Sequence, residues 1–269
     1  MTTKQTQYKL RKGEYLGPDG TPHCKICHQS LVMNLSVLDQ VYTVRRLCAC
    51  GRQAREEEHR RLAHQEFLDR VSRNRSVGLS DPELKKCSFD RDDGSTPELA
   101  RAKAYVDAWQ TMEEKALGLI LWGDVGTGKT FFAGCIANAL LDRGVPVLMT
   151  NFSRILNRLA SPMGEDRNAY IESLSQYKLL IIDDLGVERN SEYALEQVFS
   201  VIDSRYRQRL PMIITTNLTL AELRGPEDMA RARIYDRILE RCVPIQLQGE
   251  SRRKIRAAQN LALARTLLS

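Results

Sequence analysis

Apolar residues in the second half of the chain come in short, nearly continuous runs separated by longer stretches of mixed polarity. Ala116 to Trp122, Val145 to Thr150, Leu179 to Asp183, Pro211 to Thr216 and Val243 to Gln248 are the runs. Each reads as a strand buried on both faces, and their alternation with helical stretches predicts a five-stranded parallel sheet between helices. Ligands of such a sheet collect at the carboxyl ends of its strands. The first half is patterned differently. Gln53 to Arg75 is dense in charge and free of Gly and Pro, and Leu62, Phe67, Leu68 and Val71 form only a thin apolar stripe, so a mostly exposed helix is expected. Val77 to Pro97, with Gly78, Pro82 and Gly94, reads as a loop-rich boundary before a helix over Pro97 to Gln110. The expected organisation is a small module over residues 1–52, a linker helix over 53–77 and an α/β domain over 78–269.

The loop after the first of these strands carries the chemistry. Gly123-Asp124-Val125-Gly126-Thr127-Gly128-Lys129-Thr130 matches the phosphate-loop pattern G-x-x-x-x-G-K-[ST], with a strand before it and a helical Lys129 to Leu141 after it. Glycines let backbone N–H groups turn inward around phosphates, Lys129 neutralises the β- and γ-phosphates of ATP, and the Thr130 hydroxyl holds Mg²⁺. Leu179-Leu-Ile-Ile-Asp183-Asp184 ends a strand beside that loop in two carboxylates. Asp183 is expected in the Mg²⁺ shell and Asp184 on the attacking water, which makes the site hydrolytic. Asn217, closing the strand Met212-Ile-Ile-Thr215-Thr216, is positioned to orient water against the γ-phosphate.

The N-terminal module has a chemistry of its own. Cys24-Lys-Ile-Cys27 is followed, after a twenty-residue loop, by Cys48-Ala-Cys50. Four thiolates on two tight turns form the tetrahedral sulfur site for Zn²⁺ that a segment too small for its own core needs. The second pair is C-x-C, which leaves His23 or His28 open as a replacement ligand. Cys24 to His28 also fits the haem attachment pattern C-x-x-C-H, but that chemistry follows export and would leave Cys48 and Cys50 without a role.

Charge is uneven: residues 1–90 hold 16 Lys and Arg against 11 Asp and Glu, while the remainder is nearly balanced. The basic excess suits nucleic acid or an acidic protein surface. No apolar run approaches the ~20 residues of a membrane span, and the polar start lacks a signal-like apolar region. A cytoplasmic location without membrane contact is therefore expected, with cysteines reduced rather than bridged.

The order phosphate loop, Leu-Leu-Ile-Ile-Asp-Asp-Leu-Gly, Ile-Ile-Thr-Thr-Asn and Arg233-Ile-Tyr-Asp-Arg237-Ile resembles the AAA+ ATPases of the DnaC/DnaI helicase-loader and IstB group over about residues 78–260. Cys87-Ser-Phe89, followed by the helix with Ala102-Lys-Ala-Tyr105, resembles the approach to that core, and the N-terminal cysteine spacing is similar to the DnaI type. The resemblance implies a P-loop AAA+ (ASCE) core that self-associates. Asn217 would be sensor 1, Arg237 an arginine finger reaching the neighbouring subunit's nucleotide, Arg233 a supporting interface arginine and Arg253 sensor 2, with the adjacent Arg252 as its alternative. Asp184 departs from the Glu that many AAA+ proteins carry, and the shorter side chain implies slower hydrolysis. Phe152 to Gln176 resembles the extra helical element that lines a DNA channel, and Ser191 and Tyr193 would meet single-stranded DNA.

The resemblance implies an ATP-dependent loader whose N-terminal part binds a replicative DNA helicase hexamer and delivers it onto single-stranded DNA. A transposition helper ATPase of the IstB kind, an ATP-switched zinc adaptor with little turnover and a small-molecule kinase on the same phosphate loop are the competing readings.

Overall fold

The computed structural model describes residues 8–38, 40–91, 97–160, 166–186, 191–226 and 228–268. Gly94 and residues 161–165 of the expected channel element lie outside them. The chain divides into two compact units after Leu68.

The first unit is built from two small antiparallel pairs. β1 (Glu14–Leu16) pairs with β2 (Pro22–Cys24), and β3 (Val32–Val37) pairs antiparallel with β4 (Gln40–Arg45). Among the described residues its buried hydrophobic cluster is Cys24, Leu31 and Cys48, far too little to hold such strands by hydrophobic burial. α1 (Ala49–Gly78) starts inside this unit, runs past its boundary and exceeds the expected linker helix at both ends.

In the second unit two 3₁₀ turns, Leu84–Lys86 and Phe89–Arg91, precede α2 (Pro97–Asp107) and α3 (Trp109–Glu114). Then follow β5 (Gly118–Trp122), α4 (Lys129–Asp142), β6 (Val147–Asn151), α5 (Phe152–Leu159), α6 (Arg167–Ser173) and β7 (Leu179–Leu185). The unit closes with α7 (Glu192–Arg207), β8 (Met212–Thr216), α8 (Leu220–Arg224), α9 (Met229–Arg241), β9 (Cys242–Gln246) and α10 (Arg252–Leu268). The five apolar runs are thus five strands, in the order β6-β7-β8-β5-β9, all parallel.

Period-two alternation divides the strands between two cores. Leu119, Leu121, Ile181 and Ile213 face α2 and α4, while Ile120, Leu180, Ile182 and Ile214 face α5, α7 and α9. The single helix expected over Pro97 to Gln110 is broken at Ala108, without a Gly or Pro. Arg143 donates to the Val106 carbonyl, which a continuing helix would have offered to the Gln110 N–H, and also to Asp107 at 2.6 Å. A buried cation closes the base of the sheet. Arg205, 1% exposed, donates to the carbonyls of Leu174, Tyr177, Lys178 and Pro211, tying the starts of β7 and β8 to the end of α7. Burial lowers its pKa to about 10, which leaves it cationic at neutral pH. No helix among the described residues is long and apolar enough to cross a membrane.

Candidate nucleotide and metal sites

The phosphate loop joins β5 to α4 at the carboxyl end of the sheet. All three of its glycines sit at positive φ, Gly123 at +144°, Gly126 at +88° and Gly128 at +98°, where a side chain would be strained. A Cβ on Gly126 would also lie 2.1 Å from the Ser251 hydroxyl, because the start of α10 leans on the loop and the Arg252 N–H donates to the Gly126 carbonyl at 3.0 Å. Lys129, 5% exposed, donates through Nζ to the carbonyls of Gly123 and Asp124, both at 2.8 Å. Burial pushes its pKa down, and the carboxylates of Asp184, Asp183 and Asp124 oppose that shift. An ammonium so poorly solvated gains strongly from a phosphate in place of two carbonyl dipoles.

Asp183 sits half-buried beside it. Its Oδ1 accepts from the Thr130 hydroxyl at 3.1 Å and the Thr215 hydroxyl at 2.5 Å. Burial raises its pKa, the two threonine bonds and Lys129 lower it, and Asp184 adds to the rise. Thr130 and Asp183 form a pair of adjacent oxygen donors, the donor set a hard cation such as Mg²⁺ requires. At Asp184 the backbone turns into the left-handed region (φ +60°) and its N–H donates to Thr215 Oγ1 at 2.9 Å, while the register with β8 slips between Ile182 and Leu185. The slip exposes Asp184 at the cavity where a regular strand would have alternated it away.

A cavity of about 730 Å³ lies over the loop and collects Lys129, Thr130, Asp184 and Asn217 with Arg252, Arg253 and Arg256. Both arginines expected near sensor 2 are therefore present, and they differ in what they face. The charge of Arg253 acts on Lys129, whereas the Arg252 guanidinium lies 5.7 Å from the centre of the Phe131 ring. Arg233 and Arg237 are not among the cavity's lining residues; they lie on α9, stacked 4.6 and 4.8 Å from the Phe199 ring centre. Ser191 caps α7 by accepting from the Ala194 N–H at 3.1 Å, and Tyr193 is exposed beneath the Arg167 guanidinium at 5.5 Å.

Two contributors to the site leave no local pattern in the sequence. Arg256 belongs to the cavity by helical spacing from Arg252, legible only once α10 is known to start at the loop. Thr215 looked like one more strand residue, yet its hydroxyl ties Asp183 to the backbone of Asp184. Thr215→Val, which keeps shape and removes that hydroxyl, is expected to lower ATP turnover by about 10- to 100-fold with the fold intact. Steady-state rates with a melting curve check this; an unchanged rate would remove Thr215 from the site.

In the first unit the sulfur atoms of Cys24, Cys27, Cys48 and Cys50 all lie within 4.8 Å of one another. Cys50 Sγ is 3.5 Å from Cys24, 3.3 Å from Cys48 and 3.5 Å from Cys27. Thiolates around one zinc at Zn–S ~2.3 Å stand about 3.8 Å apart, so the cluster is close to a zinc cage. Backbone N–H groups already point at the sulfurs: Ile26 at Cys24 and Gly51 at Cys48, each at 3.4 Å. Hydrogen bonds from the Cys27 and Ile26 N–H groups lower the Cys24 pKa to about 6, while the sulfurs of Cys48, Cys24 and Cys27 raise that of Cys50 to about 12. The open question of a histidine ligand is answered by placement. His23 Nδ1 bonds the Thr21 carbonyl at 3.0 Å, His28 Nδ1 bonds the Tyr15 hydroxyl at 3.1 Å, and neither belongs to the cluster.

A profile of the IstB-like ATP binding protein family matches residues 50–260. The chain belongs to that family. Among relatives of this IstB-like chain, the replicative helicase loader DnaI of Bacillus subtilis (strain 168) is 29% identical over 205 residues, 69% of this chain and 65% of that protein. The match thus spans just under two thirds of the loader's own length. A putative insertion-sequence ATP-binding protein of Mycobacterium tuberculosis is 26% identical over 209 residues, 71% of this chain and 82% of that protein. A crystal structure of DnaI superposes with a TM-score of 0.53 at 26% identity, covering 64% of this chain and 93% of that one. The α/β unit is a P-loop AAA+ core, and the resemblance read from its motifs holds at the level of the family.

Proposed function

We propose that the protein is an ATP-hydrolysing loader that binds a replicative DNA helicase through its cysteine module and delivers it onto single-stranded DNA. The observation that carries this is a nucleotide cavity supplied with Lys129, Asp184, Asn217 and the α10 arginines but with neither α9 arginine among its lining residues, in a chain whose relatives include a helicase loader. A site arranged this way reaches full activity only when a second copy brings Arg237 to it.

Each residue has a task at the γ-phosphate. Lys129 leaves its two loop carbonyls and neutralises the β- and γ-oxygens. Asp184 accepts a hydrogen bond from water and orients it for in-line attack, and Asn217 donates to the same region. Arg237 of the adjoining copy balances charge on the transferring phosphoryl group, Arg233 supports that contact, and Arg253 holds the phosphates from α10. Thr130 and Asp183 would hold Mg²⁺, which when bound neutralises charge on the β- and γ-oxygens. The four cysteines would hold a zinc ion that fixes the module's fold.

Two surfaces support the partners. On the hairpin, Met33, Leu35, Val37 and Tyr42 are exposed, and Leu38 at its tip is 94% exposed at a φ of +46°; an apolar residue left so exposed in a strained turn suits a protein surface. On the ATPase unit, Arg158 lies 5.4 Å from the Tyr170 ring centre and Arg167 is paired with Tyr193, which together offer cations and stacking faces to single-stranded bases.

Incubation of the full-length protein with a hexameric replicative helicase and ATP tests this reading. Co-elution of the two is expected, and its absence overturns the loader assignment. The insertion-sequence relative supports a second reading, a transposition helper acting on duplex DNA. ATP turnover stimulated by duplex length, without helicase capture, would select it.

A further inference from the structure

α7 and α9 pack through Val198, Val201 and Ile202 on one helix and Ile234 and Ile238 on the other. At the rim of that seam stands the carboxylate of Asp203. Asp203, with a side chain 13% exposed, accepts from Arg237 Nε at 2.8 Å on one oxygen and from Arg207 Nε at 2.7 Å on the other. The Arg237 side chain is 23% exposed, and its guanidinium is held face-on by Phe199 at 4.8 Å and Tyr206 at 5.6 Å. Its Nη1 donates to the Arg233 carbonyl at 3.0 Å.

A free arginine side chain samples many rotamers, and fixing it at the moment of reaction costs conformational entropy. Here that ordering is already done within one copy. The carboxylate grips Nε, the rings fix the plane, and Nη2 stands outside both bonds. The buried contacts of the seam itself are apolar: Val198, Val201 and Ile202 against Ile234 and Ile238. Arg207, which shares Asp203, is 75% exposed and forms an ordinary surface pair.

We propose that Asp203 is the positioning residue for Arg237, holding the guanidinium in the orientation in which a neighbouring copy's nucleotide meets it. This rests on the assignment of Arg237 as the finger. ATP turnover of the full-length protein, measured across protein concentration, separates the two claims. R237A is expected to lose about 10³-fold in turnover. D203A should lose about 10- to 100-fold in kcat, with the KM for ATP and the protein concentration at half-maximal rate within about twofold of wild type. D203N, which keeps an acceptor oxygen and the side chain's volume, should fall between, and it carries the test if D203A melts early. The double variant should be no slower than R237A, because both changes act through one side chain.

A D203A rate equal to or above wild type, with R237A inactive, would overturn the role of Asp203 and leave the finger standing. A shifted assembly concentration with kcat unchanged would make Asp203 an interface contact and overturn it as well. Normal hydrolysis by R237A, or a wild type without concentration-dependent turnover, would overturn the finger itself.

Discussion

Lys129→Ala is expected to lose ATP turnover by about 10³-fold or more. The reason lies in how the side chain is held. The side chain is largely buried, and its two described partners are the carbonyls of Gly123 and Asp124 at 2.8 Å, neutral dipoles that compensate a charge only in part. Phosphate oxygens at the same place carry full charge, so the gain on binding nucleotide exceeds that for an exposed lysine, and it grows as charge shifts toward the β–γ bridge during cleavage. Alanine removes the cation and also leaves both carbonyls without their donor, which loosens the loop whose N–H groups must face the phosphates. Both nucleotide affinity and kcat should fall. Titration with a fluorescent ATP analogue and steady-state turnover separate the two, and a variant within a few-fold of wild type in both would refute the cradle.

The sequence was most informative where a motif depends on continuous backbone. Five apolar runs became five parallel strands because a strand covered on both faces has no polar side to mark, and the loop glycines became positive-φ turns because the pattern itself is a backbone requirement. It was least informative where the structure uses a side chain across the chain. Arg205 sits within an ordinary amphipathic helix, and only its distance to four carbonyls from two other segments reveals a buried clamp. Thr215 lies 32 residues from Asp183 in sequence, and Asp203 lies 34 from Arg237, so neither pairing leaves a local pattern to read. The break of the helix at Ala108 has the same origin, since Arg143 competes for a carbonyl 37 residues upstream. The four cysteines were legible as a set because each pair is local, yet the exclusion of His23 and His28 needed the partners that Thr21 and Tyr15 supply.

Loss of one thiolate should be as damaging to the first unit as loss of Lys129 is to the second. The hydrophobic cluster there, among the described residues, is Cys24, Leu31 and Cys48, and two of those three belong to the four-cysteine cluster. Two short antiparallel pairs with so little burial are marginal in water, whereas a structural zinc contributes an apparent ~10–16 kcal/mol. Folding of the module and metal binding should therefore be one event. Cys24→Ser removes the thiol that two backbone N–H groups already poise as thiolate, and it is expected to abolish zinc retention and open residues 9–48 to protease. The boundary after Leu68 predicts where the damage stops. ATP binding by the variant should stay within about twofold of wild type, because every described residue that lines the cavity belongs to the second unit. Helicase capture should vanish in the same sample. Exhaustive chelation of the wild-type protein should reproduce both results and zinc should reverse them. A Cys24→Ser protein whose module stays protease-resistant without metal would break the link between the cysteine cluster and the fold, and capture of the helicase by that protein would move the docking surface to the ATPase unit.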